Sequence, residues 1–435
     1  MAVILVCAAA CGGAHEDVVV GVDLAHPGAS IAHDFAGASY ETSALIGGAY
    51  FRADNAPLVT MFGTLGIHHL RIGGNEADRG PLPADADIVA ALGFADLVDV
   101  PVMYTLRLKD YDAASAASTA KMILARDAAR IECFVVGNEP SAFTTYAPYR
   151  DAFDAYVAAV GAPASWCGPD VFGGFPDWID MFATDRGAVT VETTVHEYFG
   201  GNGTTCDAAE ARSRLLSAGL LDEYQANHDG FAGATAPSGG FRISETNSYY
   251  NGGCIGASDA FASSLWGLDY LYWWAAHDAR GVDFHTGDHV SGSSTTYSLF
   301  VSSPAGYHAR PLGYAMAAFA LGGRGRLVPV SLGGAEDMTA YATVDAAGTV
   351  RVTIINKASE PRVIAIPFGA SSAVGWRLQA PAIDSTDGVT LGGAAIADDG
   401  SWTGASSPEP LELDDGTIRF RLDAQSAIVV AATPR

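Results

Sequence analysis

The stretch "CFVVGNEPSAF", residues 133–143, is an apolar run that stops at Gly137, Asn138, Glu139 and Pro140. Its aromatic and β-branched residues favour a buried strand, and the glycine and proline punctuate its end. Glu139 therefore stands where a buried strand opens into a loop. Pro140 disfavours helical backbone in the residue before it, so an extended Glu139 is expected. An acid in this position is either a plain helix-start carboxylate or a positioned catalytic group, and the flanking sequence decides which.

Working outward, the same texture recurs. Short apolar strands are expected at 34–40, 67–74, 98–108, 131–138, 164–174, 189–199, 240–246 and 281–287. Amphipathic stretches such as "PYRDAFDAYVAAVG" and "AAEARSRLLSAGLLDEYQANH" lie between them, and "HARPLGYAMAAFALG" closes the series. Eight strand–helix units read as a (β/α)8 TIM barrel in the α/β class. A doubly wound open sheet is the alternative, but no glycine fingerprint follows the first strand.

After about residue 324 the helical period disappears. Segments such as "TVRVTIINK", "VIAIPFG" and "SAIVVAAT" are short strands separated by Gly, Asp and Ser turns, which reads as a C-terminal antiparallel β-sandwich. The expected organisation is a leader over 1–15, a strand within 16–30 joining the sandwich, the catalytic barrel over 31–323 and the sandwich over 324–435.

The balance of 24 basic against 49 acidic residues gives a net charge of −25. Such a field disfavours nucleic acid, anionic membranes and sulfated polymers as partners. The first residues resemble a truncated secretory segment, and "AAAC" makes Cys11 a candidate lipid anchor. An exported protein is expected, whether periplasmic, extracellular or lipid-anchored at a bacterial surface, with no membrane span, and a monomer. Cys206 and Cys254 sit in glycine-rich loops, so a disulfide between them fits that compartment. Cys133 and Cys167 lie in apolar strand-like runs and read as buried thiols. The cysteine spacing suits no metal site, and neither a metal nor an organic cofactor is expected.

In a TIM barrel, catalytic groups sit at the C-terminal ends of strands. Glu139 ends the fourth strand and Glu245, in "RISETNS", ends the seventh. Two such carboxyls can flank a sugar, one protonating the departing oxygen and the other attacking the anomeric carbon. In "TVHEYF", Tyr198 reads as a contact to the nucleophile or the sugar, and His196 as a satisfied core histidine. Arg71 reads as a support for the strand-end acids.

"GNEP" with a strand-seven glutamate is the pattern of clan A glycoside hydrolases. "LRIGGN" (70–75), "ISETNS" (243–248), "GASDAFASSLWGLDYL" (256–271) and "GVDFHTGD" (281–288) resemble glycoside hydrolase family 79, the family of β-glucuronidases and heparanases. The likeness covers the barrel. It implies Glu139 as acid/base and Glu245 as nucleophile. It also implies that Glu41, Asn75 and Asn138 bind sugar hydroxyls. A glucuronate carboxylate would be held by Tyr250, Gly252 and Gly253 of "SYYNGGC" and by Tyr297, with Tyr307 and Tyr314 as alternatives. Phenols and amides supply hydrogen bonds without a full positive charge beside the developing oxocarbenium ion.

The implied function is an exo-acting, retaining β-glucuronidase on a glucuronic-acid-containing glycan or glycoside, which can carry a 4-O-methyl group. The alternative within the family is an endo-enzyme of heparanase or hyaluronidase type, which the acidic charge disfavours for sulfated polymers. The alternative from another class is a non-catalytic glycan-binding surface lipoprotein, which has no use for two strand-end acids.

Overall fold

A computed structural model describes residues 18–290, 293–333 and 337–435. The leader expected over 1–15, with Cys11, lies outside the described residues. Eight parallel strands form the barrel: β1 (Ala36–Glu41), β2 (Leu70–Gly73), β3 (Val102–Leu106), β4 (Ile131–Val136), β5 (Cys167–Phe172), β6 (Glu192–Glu197), β7 (Phe241–Thr246) and β8 (Ala279–Thr286). Their order in the sheet is β4-β3-β2-β1-β8-β7-β6-β5. The expected TIM barrel is therefore present, with each expected strand overlapping an observed one.

Between β4 and β5 the ladder thins to a single bridge, Phe134 to Trp166. The N–H of Phe134 donates to the Ser165 carbonyl and that of Glu139 to the Asp170 carbonyl, both at 2.9 Å. Pro169, inside β5, has no N–H to offer to a ladder. A Cys133–Cys167 disulfide spans this seam with Cα atoms 5.7 Å apart. That corrects the reading of two buried thiols. Both runs are apolar, but they come from the two strands that must meet to close the barrel.

The helices wrap this sheet. "AAEARSRLLSAGLLDEYQANH", expected as one helix, forms two, Ala208–Leu215 and Gly219–Phe231. The Gly219 N–H donates to the Ser217 hydroxyl at 3.2 Å, a local turn that competes with helix continuation. Asp207 caps the first of the two by accepting from the N–H groups of Ala209 and Glu210. The helix Phe261–Ala276 is buried along nearly its whole length. No helix among the described residues is long and apolar enough to cross a membrane.

The barrel's N-terminal end is closed by charge. Arg242 donates to Glu192 at 3.0 Å, and His69 lies 2.7 Å from Asp283 and 2.6 Å from Glu132. The opposite end, where the loops follow the strands, stays open.

Two sheets follow the barrel. One has the order Val330–Leu332, Val18–Val22, Arg362–Pro367, Thr417–Leu422, Glu412–Asp414. The other is built on Met338–Val344, Val350–Asn356, Ser426–Pro434 and Ala370–Gln379. Val18, Ile364 and Ile418 from the first share a core with Val352, Ile354 and Ile428 from the second. The sandwich is anchored to the barrel. Tyr341 stacks on Tyr272 at 4.9 Å, and Lys357 reaches the buried Asp269 at 2.5 Å.

Candidate active site

The open end of the barrel holds a cavity of about 930 Å³. Glu139, Glu245, Asn75, Tyr198, Tyr250, Gly252, Gly253 and Tyr297 all line it. Arg71, Asn138 and Glu41 are buried behind that lining. Tyr307 and Tyr314 are elsewhere. The hydroxyl of Tyr307 accepts from Asn55, and that of Tyr314 accepts from the Ile396 N–H.

Arg71 organises the centre. One guanidinium nitrogen donates to Glu245 at 2.7 Å and the other to Asn138 at 2.7 Å and Asp170 at 2.5 Å. The glycines of "RIGG" make this possible. A Cβ at Gly73 would meet the guanidinium carbon of Arg71 at 2.5 Å, and one at Gly74 would strike the Glu41 carboxylate. The freed space lets Glu41 accept the Glu76 N–H at 2.7 Å.

Glu245 also accepts from the Tyr198 hydroxyl at 2.9 Å. Burial alone would push its pKa up. The charges of His285, His196 and Arg71, with the Tyr198 hydrogen bond, outweigh burial and hold it at about 2. Glu245 is thus a carboxylate at any ordinary pH. Burial first, and then the charge of Glu245, push the Tyr198 phenol well above its usual range, so it stays a neutral donor.

Glu139 does not take the extended backbone expected before Pro140. Its φ is 44° and ψ 54°, in the left-handed region. Proline excludes the right-handed helical region but leaves this one open, and the N–H of Glu139 is tied across the seam to Asp170. For a residue with a side chain this conformation costs roughly 1–2 kcal/mol. Such strain, where the surroundings enforce it, is a feature of functional sites.

His196 joins the pair. Its Nδ1 lies 3.1 Å from Glu139 and 4.0 Å from Glu245, and its Nε2 lies 3.2 Å from Asp170. Burial would push the imidazole down, but the Asp170 and Glu245 charges and the hydrogen bonds to Asp170 and Glu139 raise it to about 10. It is an imidazolium at neutral pH. Asp170 is held well below the carboxylate range because Arg71 and His196 overcome its burial, and Ser244 donates to it at 2.6 Å.

Sequence reasoning missed Asp170 altogether and read His196 as an ordinary core residue. The signal available for His196 was its spacing from Tyr198, since residues two apart on a strand share a face. His285, at the end of β8, also lines the cavity, with Nδ1 3.9 Å from Glu245 and Nε2 3.7 Å from Glu41.

One ligand atom each from Glu139, His196 and Glu245 lie within 4.8 Å of one another. That spacing suits a cation. The positive charge facing both acids comes from the imidazolium, and Glu245 has Arg71 besides. The same figure places a Glu139 carboxyl oxygen within 4.8 Å of a Glu245 one.

The cavity wall is laced together. A Cys206–Cys254 disulfide joins the loops after β6 and β7, with Cα atoms 6.0 Å apart. The N–H of Tyr250 donates to the Gly201 carbonyl and that of Thr296 to the Gly252 carbonyl. The loops after β6, β7 and β8 therefore form one surface, lined by Gly252, Gly253, Ser294 and Thr296 and carrying no lysine or arginine among the lining residues.

No family model matches the chain. A stretch of 119 residues is 34% identical to a β-glucuronidase of Aspergillus niger. It makes up 26% of this chain and only 21% of that relative's length. Among solved structures, a 4-O-α-L-rhamnosyl-β-D-glucuronidase from Fusarium oxysporum superimposes with a TM-score of 0.77 at 18% identity, over 95% of this chain and 99% of that one. A family 51 arabinofuranosidase from Xanthomonas axonopodis gives 0.70 at 15% identity, over 96% and 100%. The α-L-arabinofuranosidase of Thermotoga maritima gives 0.69 at 12% identity, over 95% and 99%. At these identities the likeness establishes the fold alone, a (β/α)8 barrel with a β-domain, shared with those glycoside hydrolases.

Proposed function

We propose that the protein is a retaining β-glucuronidase of the family 79 type, releasing glucuronic acid from the end of a glycan or glycoside. The observation that carries the reading is the closeness of the Glu139 and Glu245 carboxyls. A retaining enzyme needs its two carboxyl groups roughly 5–5.5 Å apart, whereas an inverting one leaves roughly 6.5–9.5 Å for a water molecule. With their nearest oxygens within 4.8 Å, the two carboxyls are compatible with the closer, retaining spacing.

Glu245 is ionised and fixed by Arg71 and Tyr198, as a nucleophile must be. It attacks the anomeric carbon while Glu139 gives a proton to the departing oxygen. Glu139 then takes a proton from the water that releases the sugar. Asn138 offers a buried Nδ2 with no partner among the described residues, suited to a substrate hydroxyl. Asn75 in the lining is placed for a second sugar hydroxyl, and Glu41, behind it, holds His285 and the Glu76 N–H in position.

Two observations support glucuronate as the sugar. One is the sequence similarity to a β-glucuronidase. The other is the wall of amides and hydroxyls around Tyr250, Gly252, Gly253, Thr296 and Tyr297, which can bind a carboxylate without a competing full charge. The absence of Lys and Arg among the described residues of the cavity lining favours an uncharged aglycone over a sulfated polymer. The two disulfides support an oxidising, exported setting.

Proton NMR of the hydrolysis of an aryl β-glucuronide tests the reading. The β-anomer of glucuronic acid should appear first and mutarotate later. Faster release from the β-glucoside or β-xyloside would refute the sugar assignment.

A further inference from the structure

The cavity has two chemically different ends. The loops after β7 and β8 contribute amides and hydroxyls. The end of β5 contributes Phe172, whose ring has no polar atom and no part in the chemistry described above. We infer that the turn "FGGF", Phe172–Phe175, is the platform on which the leaving group's ring lies. This rests on the β-glucuronidase reading and adds the recognition of the aglycone to it.

Position carries the inference. The proton donor must reach the glycosidic oxygen, so the leaving group lies beside Glu139. The strand next to Glu139 across the seam is β5, tied by the hydrogen bond from the Glu139 N–H to the Asp170 carbonyl. Phe172 stands two residues beyond Asp170, half-buried, with its side chain lining the cavity.

The turn is built to hold that ring. The N–H of Gly173 donates to the His196 carbonyl and that of Phe175 to the Phe172 carbonyl, both at 2.9 Å. A Cβ on Gly173 would collide with the carboxyl of the buried Glu197, so only glycine lets the loop lie this close to β6. A Cβ on Gly174 would meet the Phe172 ring at 3.1 Å, so the ring rests directly on the turn's backbone. Phe175, at the turn's end, is 44% exposed and gives the same loop a second aromatic outside the cavity.

A phenyl ring with a fixed plane offers an apolar face whose negative π-density attracts C–H edges. The ligand chemistry is therefore a flat, uncharged ring, supplied either by an aryl aglycone or by the C–H face of a neutral sugar.

The test compares kcat/KM for an aryl β-glucuronide and for a glucuronyl-β-galactose disaccharide, each as a ratio to methyl β-glucuronide, which has no ring in the leaving group. In Phe172→Ala at least one ratio should fall about tenfold. The arm that falls further identifies the source of the ring. Phe172→Leu, which keeps bulk but loses the flat face, should give the same fall. Phe172→Tyr should keep the parent ratios. If the variants are slower on all three substrates with unchanged ratios, Phe172 only supports the loop and the inference is wrong. If the parent protein releases glucuronate from none of the three, the β-glucuronidase reading fails and takes the inference with it.

Discussion

His196 Nδ1 stands 3.1 Å from a carboxyl oxygen of Glu139, on a side chain that also approaches Asp170 and Glu245. One imidazolium thus faces both acids. Its removal should cost far more than a core substitution that leaves the fold intact. His196→Asn is expected to lower kcat about 100-fold with little change in KM. Steady-state kinetics checks this, alongside a melting curve to show that the variant folds. A rise confined to KM would place His196 in substrate binding instead.

Arg71 faces Glu245 at 2.7 Å and is one of the three cationic groups that outweigh burial in holding its carboxyl at about 2. A depressed carboxyl is active above its pKa and loses activity as pH falls through it. The acidic limb of the parent's kcat/KM profile is therefore not set by Glu245. In Arg71→Met the remaining burial pushes the Glu245 pKa up, and a limb should appear about one pH unit or more higher. A pH–rate profile of both proteins decides it.

Glu197, the last residue of β6, is raised to about 8 because burial outweighs the Asn227 hydrogen bond and the charge of His196. Between the ordinary carboxyl range and about 8, the unfolded chain has lost this proton while the folded chain keeps it. Stability must then fall as pH rises through that window. Glu197→Gln removes the linkage, so the variant should gain in Tm on the parent steadily from pH 5 to pH 8. A Tm difference independent of pH would show that Glu197 is ionised in the fold.

Much of this was legible in the sequence, and the misses share one cause. Glu139 and Glu245 announce themselves because each ends an expected strand, a local pattern. Asp170 does not, because it lies inside the strand expected at 164–174 and not at its end, and its partner Arg71 arrives from a distant strand. The Cys133–Cys167 bond was hidden in the same way. Each cysteine looks like core by itself, and only the closing of the barrel shows that their strands are neighbours. The left-handed Glu139 was missed because proline's rule excludes one region without choosing between those that remain.

That disulfide spans 34 residues and the weakest seam of the barrel. Replacing both cysteines by alanine should cost about 4 kcal/mol, from the extra freedom of the unfolded chain. Chemical denaturation measures this. Because Asp170 and Glu139 flank the same seam, kcat should fall as well. Unchanged kcat would mean that the hydrogen bonds and the Phe134–Trp166 bridge suffice to hold the seam.

The central claim is that Glu245 attacks the sugar with Glu139 as its proton donor. A glucuronide bearing fluorine in place of the hydroxyl next to the anomeric carbon, with a good leaving group, slows the second step and traps the intermediate. Peptide mass spectrometry of the inactivated protein should find the fluoroglucuronyl group on Glu245 and nowhere else. A label on another residue, or turnover without any adduct and with the α-anomer released first, would contradict it.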